Sequence, residues 1–140
     1  MWDNAHAATR LPAQDLDRAR AFYRDKLDLQ PVEERPGGLR YALGDTEFAV
    51  FDSSGASSGS FTQMGIYVDD IEATVAALRA RGVEFETFDE PGLRTNDGIA
   101  EVEGNYPSKG TGERAAWVRD SEGNLIAIGQ VLRVRRRAGE

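Results

Sequence analysis

Two segments of the chain resemble each other, and this internal repeat limits the folds that the sequence can adopt. The segment RLPAQDLDRARAFYRDKLDLQPVE, which begins at Arg10, matches GIYVDDIEATVAALRARGVEFET, which begins at Gly65. Asp15 then aligns with Asp70, an offset of 55 residues. The repeat predicts two copies of one small unit of strands and a helix.

Both copies predict a strand, a helix and a further extended segment, in that order. Each contains an aspartate, Asp15 or Asp70, whose side-chain oxygen can accept hydrogen bonds from the free N–H groups of a first helical turn. Apolar residues then recur at helical spacing, at Leu16, Ala19, Tyr23 and Leu27 in the first copy and at Ile71, Val75 and Leu78 in the second. The stretches LQPVEE and VEFETF follow the two helices and are expected to be extended chain.

The final strands of the two copies also correspond. LGDTEFAVFD matches SEGNLIAIGQ, each with a dipeptide, Gly44-Asp45 or Gly123-Asn124, that suits a two-residue hairpin turn or part of a longer one. This offset is 79 residues, so the second copy holds 24 additional residues before its final hairpin. They are expected to form an inserted loop over about 89–113, although GIAEVEG within it favours a short strand. Because long loops are often functional, we expect this one to cover a ligand or a partner surface.

The pattern predicts an α+β fold built from two βαβββ repeats. One repeat alone has a single helix and a sheet with open edges, too little to bury its apolar face. Two copies are therefore expected to form paired curved mixed sheets around a central cavity, with the helices outside. At 140 residues we expect one domain, 1–140, with repeat one at about 5–53, repeat two at about 61–132 and a basic tail at 133–140.

Composition and charge exclude several classes of function. The formal net charge of −7 disfavours a nucleic-acid partner, and the dense basic run RVRRR near the C-terminus is interpreted as a solvated tail. The sequence has no cysteine, which removes disulfides, thiolate metal sites and cysteine nucleophiles. No stretch approaches the roughly 18 apolar residues of a membrane span, and the N-terminus lacks the apolar core of a signal peptide. We expect a folded cytoplasmic protein with no nucleic-acid or membrane partner.

Three segments carry a resemblance to a known family: DLDRARAFYRDKLDL, YVDDIEATVAALRARGVEF and AWVRDSEGNLIAIGQ. With their order and spacing they cover nearly the whole chain, and together with the repeat they resemble the vicinal oxygen chelate superfamily. That superfamily contains glyoxalase I, extradiol dioxygenases, and bleomycin- and fosfomycin-resistance proteins. The resemblance implies the glyoxalase/bleomycin resistance fold.

The metal-binding positions of that superfamily are substituted here. In its metal-dependent members a ligand lies about seven residues before each helix-capping Asp, and a carboxylate lies in the last strand of each half. Carried to this chain, those positions are Ala8, Phe48, Gln63 and Ala127. Divalent metals of this class need about three or four nitrogen or oxygen ligands, and only Gln63 has a donor atom. His6 is the sole histidine, so we expect no metal site and no cofactor.

Without metal ligands, the expected pocket is apolar and suits a bulky, partly aromatic organic molecule. Strand alternation would add Arg10 and Tyr67 as polar lining, and Tyr106 and Trp117 would offer rigid stacking surfaces. The predicted ligand-binding residues are Ala8, Arg10, Phe48, Gln63, Tyr67, Tyr106, Trp117 and Ala127. Metal-free relatives such as bleomycin-binding proteins sequester an antibiotic in grooves of a homodimer, and the resemblance implies that function and that assembly here.

Other interpretations stay open. An enzyme of the superfamily, glyoxalase- or dioxygenase-like, would need a general acid or base, for which the insertion offers Asp97, Glu101, Glu103 and Lys109. A pure interaction module would fill the pocket with large side chains, whereas small residues occupy the inward positions Ala8, Gly65, Ala127 and Gly129. A shift of strand register would bring His6 toward the pocket. Trp117 is equally compatible with a place in the core.

Overall fold

The structure is a computed structural model that describes residues 1–133. The chain divides into two compact units. Unit 1 is Met1–Met64 with Arg119–Leu125, and unit 2 is Gly65–Val118 with the chain from Ile126 onward. Within the described residues the fold is α+β, with two sheets and two helices.

Unit 1 contains the first βαβββ repeat, as the sequence predicts. Its elements are β1 (Thr9–Ala13), α1 (Leu16–Leu27), β2 (Glu33–Arg35), β3 (Gly38–Leu43) and β4 (Thr46–Asp52). The four strands form one mixed sheet in the order β1-β4-β3-β2, with β1 parallel to β4 and the other neighbours antiparallel. This order places the two strands that carry predicted site positions, β1 and β4, side by side.

Both helices begin at the predicted aspartates. The Asp15 side chain accepts a hydrogen bond from the Arg18 N–H at 3.0 Å. The Asp70 side chain accepts one from the Ala73 N–H, also at 3.0 Å, at the start of α2 (Ile71–Ala80). Each cap satisfies a backbone donor that has no partner within the helix, which is why the two helices keep the offset of the repeat.

The second repeat departs from the first after its helix. Its strands are β5 (Met64–Tyr67), β6 (Asp89–Glu90), β7 (Leu93–Asn96), β8 (Ile99–Glu103), β9 (Gly112–Arg119) and β10 (Leu125–Leu132). They form a second sheet in the order β5-β10-β9-β8-β7-β6. The stretch 83–88 is not a regular strand, although the Glu86 N–H donates to the Trp117 carbonyl at 2.8 Å.

The inserted segment is mostly sheet, where the sequence favoured a loop. β8 coincides with the strand-like GIAEVEG, and tight turns join β6, β7 and β8 into two consecutive hairpins. Asp97 and Gly98 have φ of +53° and +84°, as a two-residue hairpin turn of this kind requires. Arg79 of α2 holds the turn through a 2.9 Å hydrogen bond from its Nη2 to the Asp97 carbonyl. The irregular part of the insertion is therefore residues 104–111.

One face of the first sheet packs under α1. Tyr23 of α1, Tyr41 of β3 and Phe48 of β4 are buried, with ring centroids 5.2 Å (Tyr23–Tyr41), 5.8 Å (Tyr23–Phe48) and 4.9 Å (Tyr41–Phe48) apart. Leu11 and Val50 are also buried. Because successive side chains of a strand point to opposite faces, the residues that alternate with this aromatic cluster point away from α1.

The turn between β9 and β10, residues 120–124, carries three buried polar side chains, Asp120, Glu122 and Asn124. Asp120 Oδ1 accepts hydrogen bonds from the N–H groups of Glu122 at 2.8 Å and Asn124 at 3.0 Å. Asp120 Oδ2 accepts from the Tyr23 hydroxyl at 2.6 Å and from Asn124 Nδ2 at 2.8 Å. The buried carboxylate is thus fully hydrogen-bonded, and the Tyr23 hydroxyl attaches the turn to α1.

Glu122 binds the start of α1. Its Oε1 accepts hydrogen bonds from the backbone N–H groups of Gln14 and Asp15, both at 3.0 Å. Its carboxylate also pairs with Arg18 through Nε at 2.8 Å and Nη2 at 2.9 Å. The hydrogen bond from Arg18 is the largest of the effects that lower the pKa of Glu122 from 4.5 to about 2. The turn and the helix therefore stabilise each other.

The end of the described chain contains only the first residue of the predicted basic tail. Arg133 donates through Nε to the Lys109 carbonyl at 3.0 Å, and residues 134–140 lie outside the described part. Among residues 1–133, no helix is both long and apolar enough to cross a membrane.

We expect the protein to lose stability in acid through Glu122. Its folded pKa of about 2 lies below the ordinary 4.5, so its contribution is present above pH ~4.5 and is lost as the pH falls toward 2. Glu122→Gln should lower the free energy of unfolding by roughly 2 kcal/mol at pH 7 and remove this part of the pH dependence. Urea unfolding followed by circular dichroism at pH 7, 4 and 3 measures both effects.

The control for this experiment is Glu84→Gln, at an exposed glutamate of unit 2. It should change the free energy of unfolding by less than about 0.5 kcal/mol. If the wild type and Glu122→Gln lose the same stability between pH 7 and 3, the role assigned to Glu122 is wrong.

Candidate functional site

The face of the first sheet that points away from α1 forms a groove of about 460 Å³. We call it the sheet-1 groove. Its side chains lie in rows that cross the strands, as the register of the sheet requires. One row is Glu33, Arg40, Ala49 and Arg10, the next is Arg35, Gly38 and Phe51, and Ala8 and Glu47 lie at the other side of the first row.

Small residues and one aromatic ring form the floor of the sheet-1 groove. Gly38 is buried under the Arg35 side chain, whose Nε lies 3.1 Å from where a Cβ at Gly38 would be. Phe51, the register partner of Gly38, is half-buried, and the guanidinium carbon of Arg10 lies 4.8 Å from the centroid of its ring. Ala49, in the first row and two residues before Phe51 on β4, adds only a methyl group, so small side chains border the ring.

Three arginines and two glutamates surround this floor. Arg40 pairs with Glu47, with Nε and Oε2 2.9 Å apart, and approaches Glu33, with Nη1 and Oε1 3.6 Å apart. In the part of the chain that the structure describes, Arg10 and Arg35 have no carboxylate partner. Because surface pairs of this kind are weak, the charged rim can rearrange around a ligand.

Three predicted ligand-binding residues, Ala8, Arg10 and Phe48, are among the residues that line the sheet-1 groove. The ring of Phe48, however, does not face the groove. The Phe48 side chain is 3% exposed and contacts the Tyr23 ring of α1, so it points to the face opposite the groove.

The misplacement of Phe48 comes from the offset of 79 residues that aligned it with Ala127. The turn between β3 and β4 has two residues, Gly44-Asp45, as predicted, but the turn between β9 and β10 has five. Residues at equal distances from the two aligned glycines, such as Phe48 and Ala127, therefore point to opposite faces of their sheets. The neighbours of Phe48 in β4, Glu47 and Ala49, face the groove instead.

Gln63 is bound to the β9–β10 turn. Its Oε1 accepts hydrogen bonds from the Leu125 N–H at 3.1 Å and the Ser57 hydroxyl at 2.5 Å. Its Nε2 donates to Asn124 Oδ1 at 3.0 Å. These contacts lie within unit 1, and Gln63 is not among the residues that line the sheet-1 groove.

Tyr67 and Ala127 belong to unit 2. Tyr67 is 64% exposed, and its ring and Glu113 Oε1 lie 3.2 Å and 2.8 Å from where a Cβ at Gly129 would be. Burial, followed by the charge of Glu113 and a hydrogen bond to it, raises the pKa of Tyr67. By alternation Ala127 shares the face of Gly129, opposite to Gln130, which accepts a hydrogen bond from the first N–H of α2.

Trp117 and Tyr106 also belong to unit 2 but have different environments. Trp117 is 9% exposed and packs edge to face on Phe88, with ring centroids 5.2 Å apart, as expected of a core residue. Tyr106 lies in the irregular segment 104–111 and is 76% exposed.

The residues at the aligned metal positions do not fit the divalent ion of the metal-dependent relatives. Ala8 and Ala127 present methyl groups, the Phe48 ring lies in the core, and the Gln63 amide is already hydrogen-bonded. Among residues 1–133, no three His, Cys, Asp or Glu side chains lie close enough together to hold a metal ion.

Sequence reasoning missed Arg35, Arg40 and Phe51. In the segment GLRYAL, Arg40 lies between Leu39 and Tyr41, which are both buried. This alternation was the signal that could have placed Arg40 on the open face. The same period-two pattern places Phe51 opposite to the buried residues of β4.

A sequence model of the Glyoxalase/Bleomycin resistance protein/Dioxygenase superfamily matches residues 5–128. The chain therefore belongs to this superfamily, whose fold matches the two sheets described above. A comparison with curated proteins gives no match.

Solved structures share this fold at low sequence identity. A glyoxalase/bleomycin resistance protein/dioxygenase from Alicyclobacillus acidocaldarius is 16% identical with a TM-score of 0.67, over 91% of this chain and 92% of that chain. A lactoylglutathione lyase from Agrobacterium tumefaciens is 25% identical with a TM-score of 0.60, over 91% and 93%. A bleomycin-binding protein complexed with bleomycin is 20% identical with a TM-score of 0.62, over 91% and 98%. The fold predicted from the repeat is confirmed.

Substitutions on the two faces of β4 should have different effects on stability. Phe48→Ala removes a buried ring and should lower the free energy of unfolding by about 3–5 kcal/mol. Phe51→Ala removes a half-exposed ring of the groove and should cost less than about 1.5 kcal/mol. Urea unfolding of the two variants measures the difference, and equal losses would contradict the assignment of the faces.

Proposed function

We propose that this protein binds and sequesters a small organic molecule with a hydrophobic or aromatic part, without a metal ion, and that the sheet-1 groove is a binding site. The observation that carries the proposal is the floor of that groove, where small residues surround the exposed side of the Phe51 ring. Concave surfaces of this size with a few well-placed polar groups are the usual form of ligand sites. Burial of apolar ligand surface there would contribute roughly 25 cal/mol per Å².

One solved relative supports sequestration as the role of binding. It is a bleomycin-binding protein complexed with bleomycin. By analogy we propose that the bound molecule is an antibiotic or another natural product, that binding protects the cell from it, and that the protein is a cytoplasmic homodimer. Tyr67, Tyr106 and Ala127 are proposed as ligand contacts on unit 2, and the buried Trp117 is not.

Filling the floor of the sheet-1 groove should weaken binding without unfolding the protein. Ala49→Leu adds three carbon atoms on the open face beside Phe51, so it should weaken binding by at least about tenfold. Calorimetric titration with bleomycin and with a panel of planar aromatic natural products measures the change. Ala77→Leu, on the exposed surface of α2, is the matched control and should bind as the wild type does.

Two results would contradict the proposed function. A stoichiometric divalent ion in protein purified without chelator would show that the metal-free assignment is wrong. Failure of the folded wild type to bind bleomycin and every member of the panel would favour an interaction module instead.

An enzyme of the superfamily is the second candidate, because the structure turns one carboxylate, Glu47, to the groove side of β4. There it pairs with Arg40 and borders a shallow depression shared with His6. These residues are candidates for proton transfer. Turnover of a thiol conjugate or of a catechol, lost in Glu47→Gln, would favour the enzyme over sequestration.

A further inference from the structure

The charges of the sheet-1 groove are unevenly compensated. Arg40 contacts both Glu47 and Glu33, so one guanidinium neutralises part of the charge of two carboxylates. Arg10 and Arg35 have no carboxylate partner among the described residues. In a chain with a net charge of −7, two uncompensated arginines on one concave surface are a local positive field that attracts anions.

These two arginines lie on strands at opposite sides of β4, the strand that carries Phe51. Arg10 lies on β1, next to β4, and its guanidinium carbon is 4.8 Å from the centroid of Phe51. Arg35 lies on β2 and crosses Gly38, the residue of β3 that pairs with Phe51. The absence of a side chain at Gly38 favours this path, because a Cβ there would lie 3.1 Å from Arg35 Nε and the arginine would have to shift.

The chemistry of the guanidinium determines what such a pair can bind. Its N–H groups form a planar fork that matches the two oxygens of a carboxylate or two oxygens of a phosphate. A guanidinium over an aromatic ring keeps these N–H groups available at its edge. An aromatic ring between two such groups can contact the flat part of the same ligand.

We propose that the sheet-1 groove selects molecules that carry an oxyanion, a carboxylate or a phosphate, beside a planar apolar group. Arg10 and Arg35 bind the oxyanion, and Phe51 contacts the planar group. Glu47, at the other side of the first row, and Glu33, at the end of that row opposite Arg10, repel the anion and so fix the orientation of the ligand. This inference rests on the proposed function and names the class of ligand.

Three probes of the same shape test the charge requirement: naphthalene-2-carboxylate, naphthalene-2-carboxamide and 2-naphthyl phosphate. Each is titrated into the full-length protein while the backbone amide signals of Gly38, Ala49 and Phe51 are followed by NMR. At least one of the two anions should bind about tenfold or more tightly than the neutral carboxamide. Its affinity should fall as salt is added, because exposed charges are screened. Comparison of the affinities for naphthalene-2-carboxylate and 2-naphthyl phosphate shows which oxyanion the groove prefers.

Matched variants test the residues. Arg10→Gln and Arg35→Gln should each weaken binding of the preferred anion by about fivefold or more and leave binding of the carboxamide within about twofold. Arg24→Gln is the control, because Arg24 lies on α1 and pairs with Asp25. It should bind all three probes as the wild type does.

The possible failures are distinguishable. Equal affinity for the carboxamide and both anions would overturn the selection of oxyanions and leave the proposed binding function in place. A preference for the anion that survives both arginine substitutions would overturn the roles of Arg10 and Arg35. If no probe moves the groove signals, this inference falls, and the proposed function falls with it only if bleomycin and the natural-product panel also fail to bind.

Discussion

The buried carboxylates of the β9–β10 turn place the strongest constraint on unit 1. Asp120 and Glu122 are removed from water, and a buried charge is tolerated only with hydrogen bonds and opposite charge around it. The Tyr23 hydroxyl, the N–H groups before α1 and the Arg18 guanidinium supply these partners. Because all of them lie on α1 or at its start, the helix is fixed to the turn, and it covers the face of the first sheet that holds the aromatic cluster. The sheet-1 groove can therefore open only on the other face.

Local chemistry made much of the fold predictable. The aspartates Asp15 and Asp70 marked both helix starts because a cap depends on residues three positions away. The insertion was harder for the same physical reason. Its turn residues, such as Asp97-Gly98, were visible, but whether turns close into hairpins depends on strand pairing between residues that are distant in sequence. The chain forms three strands there and keeps only a short irregular segment.

The candidate site was predictable only in part, because the face that a strand residue occupies depends on where the alternation of side chains begins. Ala8 was placed through a local count from the helix cap and Arg10 through strand alternation, and the structure brings them together. Phe48 was placed through a comparison of two turns, and a difference of one residue in pleat phase moved it to the opposite face. Arg40 forms ion pairs with carboxylates and Arg35 does not, because the register between strands decides which side chains are neighbours. The alternation of residues in the sequence does not reveal that register.

The two faces of β4 separate the interior of unit 1 from the surface of the proposed ligand site. Phe48 and Val50 belong to the interior, while Glu47, Ala49 and Phe51 belong to the groove. Substitutions at the second set should therefore change the surface of the groove with little effect on the free energy of unfolding. Solved structures with 16% to 25% identity share this fold, so the arrangement of the strands is kept while most side chains differ.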